Sequence, residues 1–199
     1  MDAPPTSDLV VTIVEGHGDA EAVPVLVRKL LRERGLYPRT KAIRVKRQRV
    51  VKPAELEKAI ELALLQPGCA SILIVLDADG DCPAELGPSL QARAQAVGRG
   101  MPVGVVLANQ EFESWLLGGI EGLRGLRGIG AAAALAQDPD SIASPKARLD
   151  REMGVRSYLE TDDQAAFAEL LNVEAAIARS RSFRKLVNEL AKLMPSKEA

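Results

Sequence analysis

Leu9-Val-Val-Thr-Ile-Val14 is a continuous, mostly β-branched run that ends abruptly in Glu15-Gly-His-Gly-Asp19. Such a run is typical of a strand that is buried on both faces of a sheet. A second run, Ile72-Leu-Ile-Val-Leu76, ends in Asp77-Ala-Asp79-Gly-Asp81. Loops that follow parallel strands share one edge of the sheet, so we expect the two acidic groups to converge in one crevice.

On either side of these two runs, the spacing of apolar residues predicts a regular alternation of strands and helices. It predicts helices over residues 20–34, 53–66 and 84–97, and further strands over 41–51 and 101–107. This order implies right-handed crossovers. We therefore predict an α/β fold with a central, mainly parallel four-stranded sheet flanked by helices.

The second half of the chain has a different organisation. A Gly-rich stretch, residues 118–130, indicates a loop or short helical turns, and the pattern from Ala131 onward is helical. The helical pieces are an alanine-rich segment, residues 146–153, 164–171 and 173–178, and a terminal helix from Ser182. We divide the chain into a flexible N-terminus (1–8), an α/β core (9–117), and a Gly-rich connection with a helical C-terminal extension packed on the core (118–199).

Composition limits the location and the partners of the protein. The 199 residues are 47% hydrophobic and carry a net charge of -1, so one core can be buried and no overall basic field points to nucleic acid. Cys69 and Cys82 lack the spacing of a metal site or of a disulfide framework. No apolar stretch approaches the length of a membrane span. We therefore expect a cytoplasmic protein.

The acidic loops predict a metal site. Glu15, Asp19, Asp77 and Asp79 would repel one another, and hard Mg²⁺ (or Mn²⁺) is the usual counterion for such a cluster. The alternative is that these residues are solvated helix caps, a role that is open to Asp19 in particular. His17 is the chain's one histidine, and a solvated loop residue is its simplest interpretation.

These segments resemble a known family. A strand with Glu15-Gly and a strand with Asp77-Ala-Asp79 are similar to the Toprim domain of type IA topoisomerases, primases and nucleases of the overcoming-lysogenization-defect group. A longer series resembles the Toprim-like domain of unknown function 4276, which is often found beside ATPase genes. Its segments here are Val14-Glu15-Gly-His-Gly-Asp19-Ala-Glu21, Val75-Leu-Asp77-Ala-Asp79-Gly-Asp81, Asn109-Gln-Glu111-Phe-Glu113-Ser-Trp115 and Ser144-Pro-Lys146.

The resemblance implies roles for the acidic loops. It implies that Glu15 is a metal ligand or a general acid/base, and that Asp77 and Asp79 bind Mg²⁺. Asp19 stands where the nuclease branch often has a further acidic ligand.

The same resemblance extends to later residues. Glu111 or Glu113 would complete a second metal site, and Lys146 would approach the scissile phosphate. The alternatives are an acidic first helical turn for the two glutamates and a solvated lysine after a proline.

A basic run provides a candidate nucleic-acid surface. Residues 39–52 contain seven basic side chains and no acid, and we take Arg44, Lys46, Arg47 and Arg49 as candidate contacts to phosphates. The alternative is a solvated edge strand, because basic side chains also discourage edge pairing.

Together these features predict an Mg²⁺-dependent phosphoryl-transfer enzyme, first of all a nuclease that cleaves DNA or RNA. The chain has no Gly-x-x-x-x-Gly-Lys-[Ser/Thr] loop, so an ATPase would be a partner, plausibly in defence against phage. A non-catalytic interaction subunit of an ATPase complex is the alternative from another class. Action on a small phosphoester is a third possibility, and the pattern indicates no oligomeric state.

Overall fold

The computed structural model describes four parts of the chain, residues 8–52, 54–135, 137–154 and 156–195. Apart from Asp8, the N-terminus that we expected to be flexible (1–8) lies outside these residues. Pro53, the predicted first residue of a helix, lies outside them too.

Within the described residues, four strands form a single sheet in the order β2-β1-β3-β4, and every neighbouring pair is parallel. The predicted α/β class with a four-stranded sheet is therefore confirmed, and the sheet is entirely parallel. The strands are β1 (Leu9–Val14), β2 (Arg39–Arg44), β3 (Cys69–Asp77) and β4 (Val103–Ala108).

Helices connect the strands and make up most of the second half of the chain. The predicted Gly-rich connection is a loop that contains one 3₁₀ turn, Ile120–Leu123, and a π-helical turn spans Glu160–Gln164. The helices of the described residues are α1 (His17–Arg32), α2 (Arg47–Val50), α3 (Glu55–Leu64), α4 (Pro83–Val97), α5 (Glu113–Gly118), α6 (Pro145–Glu152), α7 (Ala165–Leu170), α8 (Val173–Arg179) and α9 (Arg181–Leu193).

The sheet is buried on both faces, which explains the uninterrupted apolar runs of β1 and β3. Val10 and Val14 pack with α1 and with α5 to α9 on one face. Val11 and Ile13 pack with α2, α3 and α4 on the other. Because successive side chains of a strand point to opposite faces, each strand contributes to both cores.

The predicted strand over residues 41–51 is wrong in its second half. β2 ends at Arg44, which is paired with Val14, the last residue of β1. The N–H of Val45 still donates to the carbonyl of Val14 at 2.8 Å, but beyond it the described residues offer β2 no neighbour with which to continue the ladder, since β1 is followed by α1. The chain instead forms the short helix α2, which buries Val50 against α3.

The prediction of helix in the alanine-rich segment is also wrong for the residues that the structure describes. Residues 131–135 form a turn and irregular backbone, with Ala133 and Leu135 buried. The side chain of Arg124 donates a hydrogen bond to the carbonyl of Ala133 at 2.6 Å. This carbonyl, which would accept a backbone hydrogen bond in a helix, is therefore bonded to a side chain instead. Ala136, which belongs to this segment, lies outside the described residues.

The predicted helical C-terminal extension is present and packs directly on the sheet. Phe183, Leu186 and Leu190 of α9 are buried in the same cluster as Val106 of β4. None of the helices in the described residues has the length and apolarity needed to cross a membrane.

Candidate functional site

The carboxyl ends of β1 and β3 lie side by side, and each is followed or terminated by an acid. Glu15 comes directly after β1, and its Oε1 accepts a hydrogen bond from the backbone N–H of Asp77 at 2.6 Å. An open cleft of about 850 Å³ lies at this edge of the sheet. Of the described residues, six acidic side chains line the cleft: Glu15, Asp19, Asp77, Asp79, Glu113 and Glu160.

The loop after β3 is a tight turn that presents Asp79 to the cleft. Asp79 and Gly80 have φ angles of 49° and 88°, and the N–H of Asp81 donates to the carbonyl of Ala78 at 2.9 Å. Two positive φ angles in the centre of a turn favour Asp-Gly, as in a type I′ turn. The sequence Asp79-Gly80 therefore matches the backbone that this loop requires.

Asp77 also ties two loops together. Its Oδ1 accepts a hydrogen bond from the backbone N–H of Phe112, in the loop after β4, at 2.8 Å. The N–H of Asp79 donates to the carbonyl of Gln110 at 3.1 Å. These two hydrogen bonds fix the loops after β3 and β4 relative to each other beside the cleft.

Asp19 caps α1, but from a different position than we predicted. The helix begins at His17 rather than at Ala20, so Asp19 lies in its first turn. Its Oδ2 accepts a hydrogen bond from the N–H of Gly16 at 2.9 Å, and its Oδ1 accepts one from Gln164 at 3.0 Å. His17 is exposed at the start of the helix and also lines the cleft.

The cleft is electrostatically unfavourable for its own acids. Burial raises the pKa of Asp77 well above its usual range, and the charges of Asp19, Glu15, Glu113 and Asp79 raise it further. Burial is also the main cause of the raised pKa of Asp19, against which its hydrogen bonds to Gly16 and Gln164 act. A bound cation would relieve both effects, because it favours the charged form of each acid.

Glu113, the first residue of α5, is buried at the back of the cleft. It is 3% exposed, and burial raises its pKa to about 7, a shift that the nearby hydroxyl of Tyr158 partly opposes. Neither Glu113 Oε1 nor that buried hydroxyl makes a hydrogen bond of regular geometry within the described residues. A buried carboxylate oxygen without a well-placed donor costs free energy, which a ligand in the cleft would recover.

Glu111 and Lys146 lie beside the cleft rather than in its lining. Glu111 Oε2 accepts a hydrogen bond from the backbone N–H of Lys146 at 2.9 Å, at the start of α6. The ammonium group of Lys146 is paired with Glu160, which does line the cleft. Glu111 therefore caps a helix, while Lys146 stands next to the acidic cluster.

The basic run contributes two cations to the cleft. Arg44 and Lys46 line it, and neither side chain has a hydrogen bond or an ion pair within the described residues. Arg49 lines a neighbouring groove and is paired with Glu55 at 2.6 Å. The side chain of Arg47 lies outside the described part of the chain.

A comparison of the sequence with known protein families identifies the family of the chain. The family model described as Domain of unknown function (DUF4276) matches residues 14–191. The chain belongs to this family. No curated protein and no solved structure matches it.

The DUF4276 span includes cleft residues that sequence reasoning missed. Glu160, Thr161 and Gln164 line the cleft from the π-helical turn of the C-terminal extension. The acidic run Glu160-Thr-Asp-Asp163 was the available signal, but no strand precedes it to direct it towards the sheet edge. A single-turn π-helix is itself frequent at functional sites.

The carboxylates of the DUF4276 cleft are engaged with the backbone in this conformation. Within the described residues, no group of three or more His, Cys, Asp or Glu side chains is arranged to hold a metal ion as it stands. Glu15 and Asp77 each accept a backbone hydrogen bond through one oxygen. Metal binding would therefore require side chains of the cleft to change their orientation.

Proposed function

We propose that this chain is an Mg²⁺- or Mn²⁺-dependent phosphoryl-transfer enzyme, first of all a nuclease that cleaves DNA or RNA phosphodiesters. The observation that carries the proposal is the meeting of opposite charges in one cleft. Carboxylates from the carboxyl ends of β1 and β3 and from the first residue of α5 converge there. The cations Arg44 and Lys46, unpaired within the described residues, lie in the same lining. A site for a metal ion alone would need only the acids.

The donors in the cleft fit a hard divalent cation. They are carboxylate oxygens, which Mg²⁺ and Mn²⁺ prefer, and Glu113 offers a buried oxygen without a regular hydrogen bond among the described residues. Glu15, Asp77 and Asp79 are the proposed ligands, with Asp19 and Glu113 as additions. When bound, such an ion polarises a phosphoryl oxygen and stabilises the leaving oxygen of an in-line displacement.

The side chains of the chain itself would bind and orient the substrate. Arg44 and Lys46, which have no partner among the described residues, would contact phosphates, and such contacts supply affinity without reading sequence. Glu15 is the proposed general acid/base. Lys146 would reach a phosphate by exchanging its present partner, Glu160, for the substrate.

The architecture supports a Toprim-like interpretation. A glutamate after the first strand and an Asp-x-Asp after an adjacent parallel strand is the arrangement of the Toprim domain, and β1 and β3 are adjacent here. On this proposal the chain works with a partner ATPase in bacterial defence against phage. The resemblance to a family often found beside ATPase genes supports this partner, and the sequence itself contains no P-loop motif.

The test is cleavage of labelled single- and double-stranded DNA and RNA in Mg²⁺, Mn²⁺ or chelator. We expect metal-dependent cleavage that falls by at least about 100-fold in Glu15→Gln and Asp77→Asn, in the range found when a group that stabilises the transition state is removed. Glu85→Gln, an exposed acid of α4, is the matched control and should cut normally. Equal cleavage by wild type and Asp77→Asn would contradict the assignment.

A second candidate is a non-catalytic interaction subunit of an ATPase complex. The hydrogen bonds from Asp77 N to Glu15 and from Phe112 N to Asp77 favour it, because they give these acids a structural role. This candidate predicts no cleavage and no divalent-ion binding by calorimetry. A small phosphoester substrate would instead appear as metal-dependent hydrolysis of p-nitrophenyl phosphate without nucleic-acid cleavage.

A further inference from the structure

Gln164 joins the C-terminal extension to the acidic cleft. It is the last residue of the π-helical turn, is 2% exposed, and lines the cleft beside Asp19. Its Nε2 donates a hydrogen bond to Asp19 Oδ1 at 3.0 Å, while the N–H of Gly16 donates to Oδ2. Two donors from different parts of the chain therefore fix the orientation of a single carboxylate.

The glycines of Gly16-His-Gly18 provide the space for this contact. A Cβ atom at Gly16 would lie 2.6 Å from Asp19 Oδ2, and one at Gly18 would overlap Gln164 Oε1. Gly16 has a φ of −88°, so its backbone conformation is open to any residue. Both glycines are therefore explained by the side chains that pack against them, and not by backbone freedom.

The amide of Gln164 is held at a free-energy cost. Its Oε1 is buried and has no hydrogen-bond partner among the described residues. A buried acceptor that is left without a hydrogen bond destabilises the folded state. The preceding residue, Asp163, is fully buried and bound by Arg156 and Arg127, which anchors the turn and keeps Gln164 in place.

We infer that Gln164 is a positioning residue for Asp19 in the proposed cation site, an inference that rests on the proposed function. Each carboxylate oxygen accepts more than one hydrogen bond or ligand contact. With Gly16 and Gln164 each occupying one oxygen, the remaining lone pairs of Asp19 are turned to the cleft. The extension thus contributes to the site by orienting an acid of the α/β core.

The experiment measures the Mn²⁺ affinity of the full chain by isothermal titration calorimetry, without nucleic acid. Gln164→Met keeps the side-chain length but removes the donor, and Gly18→Ala keeps every polar atom but displaces the amide of Gln164. We expect each variant to weaken Mn²⁺ binding about tenfold, as loss of an outer hydrogen bond to a ligand does. Gln95→Met, an exposed glutamine of α4, is the control and should bind as wild type does.

The double variant separates positioning from general structural damage. If both changes act through one hydrogen bond, Gly18→Ala with Gln164→Met weakens binding about tenfold, no more than either alone. A loss of about a hundredfold would mean that the two act independently and would overturn the inference. Unchanged affinity in Gln164→Met would overturn it as well, whatever the affinity of Gly18→Ala.

Two further outcomes keep the inference apart from the function on which it rests. If wild type binds no Mn²⁺, the proposed function fails and the role of Gln164 fails with it. If wild type binds and Gln164→Met binds equally well, only the role of Gln164 is refuted. Should Gln164→Met not fold, Gly18→Ala decides, because it leaves every polar atom of Gln164 in the chain; circular dichroism establishes that the variant is folded before it is titrated.

Discussion

The side chain of Glu15 spans two strands: its Oε1 accepts a hydrogen bond from the backbone N–H of Asp77 at 2.6 Å. The end of β1 is thereby tied to the end of β3, and Asp77 is tied in turn to Phe112 after β4. The acids that are the proposed metal ligands also hold the edge of the sheet together. Substitutions at the cleft must therefore be tested for stability as well as for activity.

Glu113 should make stability depend on pH. Its folded pKa of about 7 lies above the ordinary value of 4.5, so the folded state binds this proton more tightly than the unfolded state. By linkage, the contribution of this proton to the free energy of unfolding is fully present below pH 4.5. It declines as the pH rises through about 7 and is constant above that. In chelator, Glu113→Gln should therefore be more stable than wild type at pH 8, by up to about 3 kcal/mol.

Urea unfolding of both proteins between pH 4 and 8 measures this difference. The advantage of the variant should vanish near pH 4, where Glu113 is protonated in both states. Glu85→Gln provides the control for a general loss of negative charge. A difference between Glu113→Gln and wild type that is the same at every pH would contradict the raised pKa.

The cleft cations should determine the salt dependence of nucleic-acid binding. Replacing Arg44 and Lys46 together by glutamate removes two phosphate contacts, so the slope of log K against log salt should become less steep by about 2 for duplex DNA. Fluorescence anisotropy at several salt concentrations gives the slope. The control is Arg99→Glu, in the loop that enters β4 at the opposite end of the sheet, which should leave the slope unchanged. An unchanged slope in the double variant would exclude Arg44 and Lys46 as a nucleic-acid surface.

Asp163 should stabilise the turn that carries Gln164. It is fully buried and accepts hydrogen bonds from Arg156 and from the N–H of Leu159. Asp163→Asn should cost about 2 kcal/mol, below the 3–5 kcal/mol of a fully buried pair, because Arg156 and Arg127 are 37% and 43% exposed. Thermal and urea unfolding measure the loss, and exposed Asp162→Asn should be close to neutral; equal effects of the two would refute the role.

Gln91 should protect the free edge of β4. Its Nε2 donates to the carbonyl of Val103 at 2.7 Å and its Oε1 accepts from the N–H of Val105 at 2.8 Å, so the amide occupies positions that a further strand would take. Gln91→Leu should cost about 1–3 kcal/mol by leaving these groups unpaired, and should increase self-association. Denaturant unfolding and light scattering at several concentrations test this, with Gln95→Leu as control; a stable variant that associates no more than the control would contradict it.

Local sequence patterns were sufficient to predict the parallel sheet and to place the three central acids of the cleft at one edge of it. The runs that became β1 and β3 are apolar on both faces, which is a property of a buried parallel strand and needs no knowledge of its neighbours. Because parallel strands end at one edge, Glu15, Asp77 and Asp79 could be assigned to the same crevice. The structure brings all three into one cleft.

Local patterns were insufficient where residues outside a segment decide its backbone conformation. The alternation of residues 41–51 gave no sign that β2 would lose its neighbour after Arg44. The alanine-rich segment has high helix propensity, yet Arg124 binds its backbone and its described residues are not helical. A missing strand neighbour in the first segment and a side-chain contact in the second override the intrinsic preference.

Tertiary packing also gives different locations to residues that look equivalent in the sequence. Glu111 and Glu113 are two positions apart, and such residues do not face the same side of a turn, so Glu113 enters the cleft while Glu111 caps α6. Arg49 is paired with Glu55, whereas Arg44 faces the cleft. Side-chain periodicity places acids at the edge of a sheet, but only the docking of the C-terminal extension brings Gln164 to Asp19, 145 positions away.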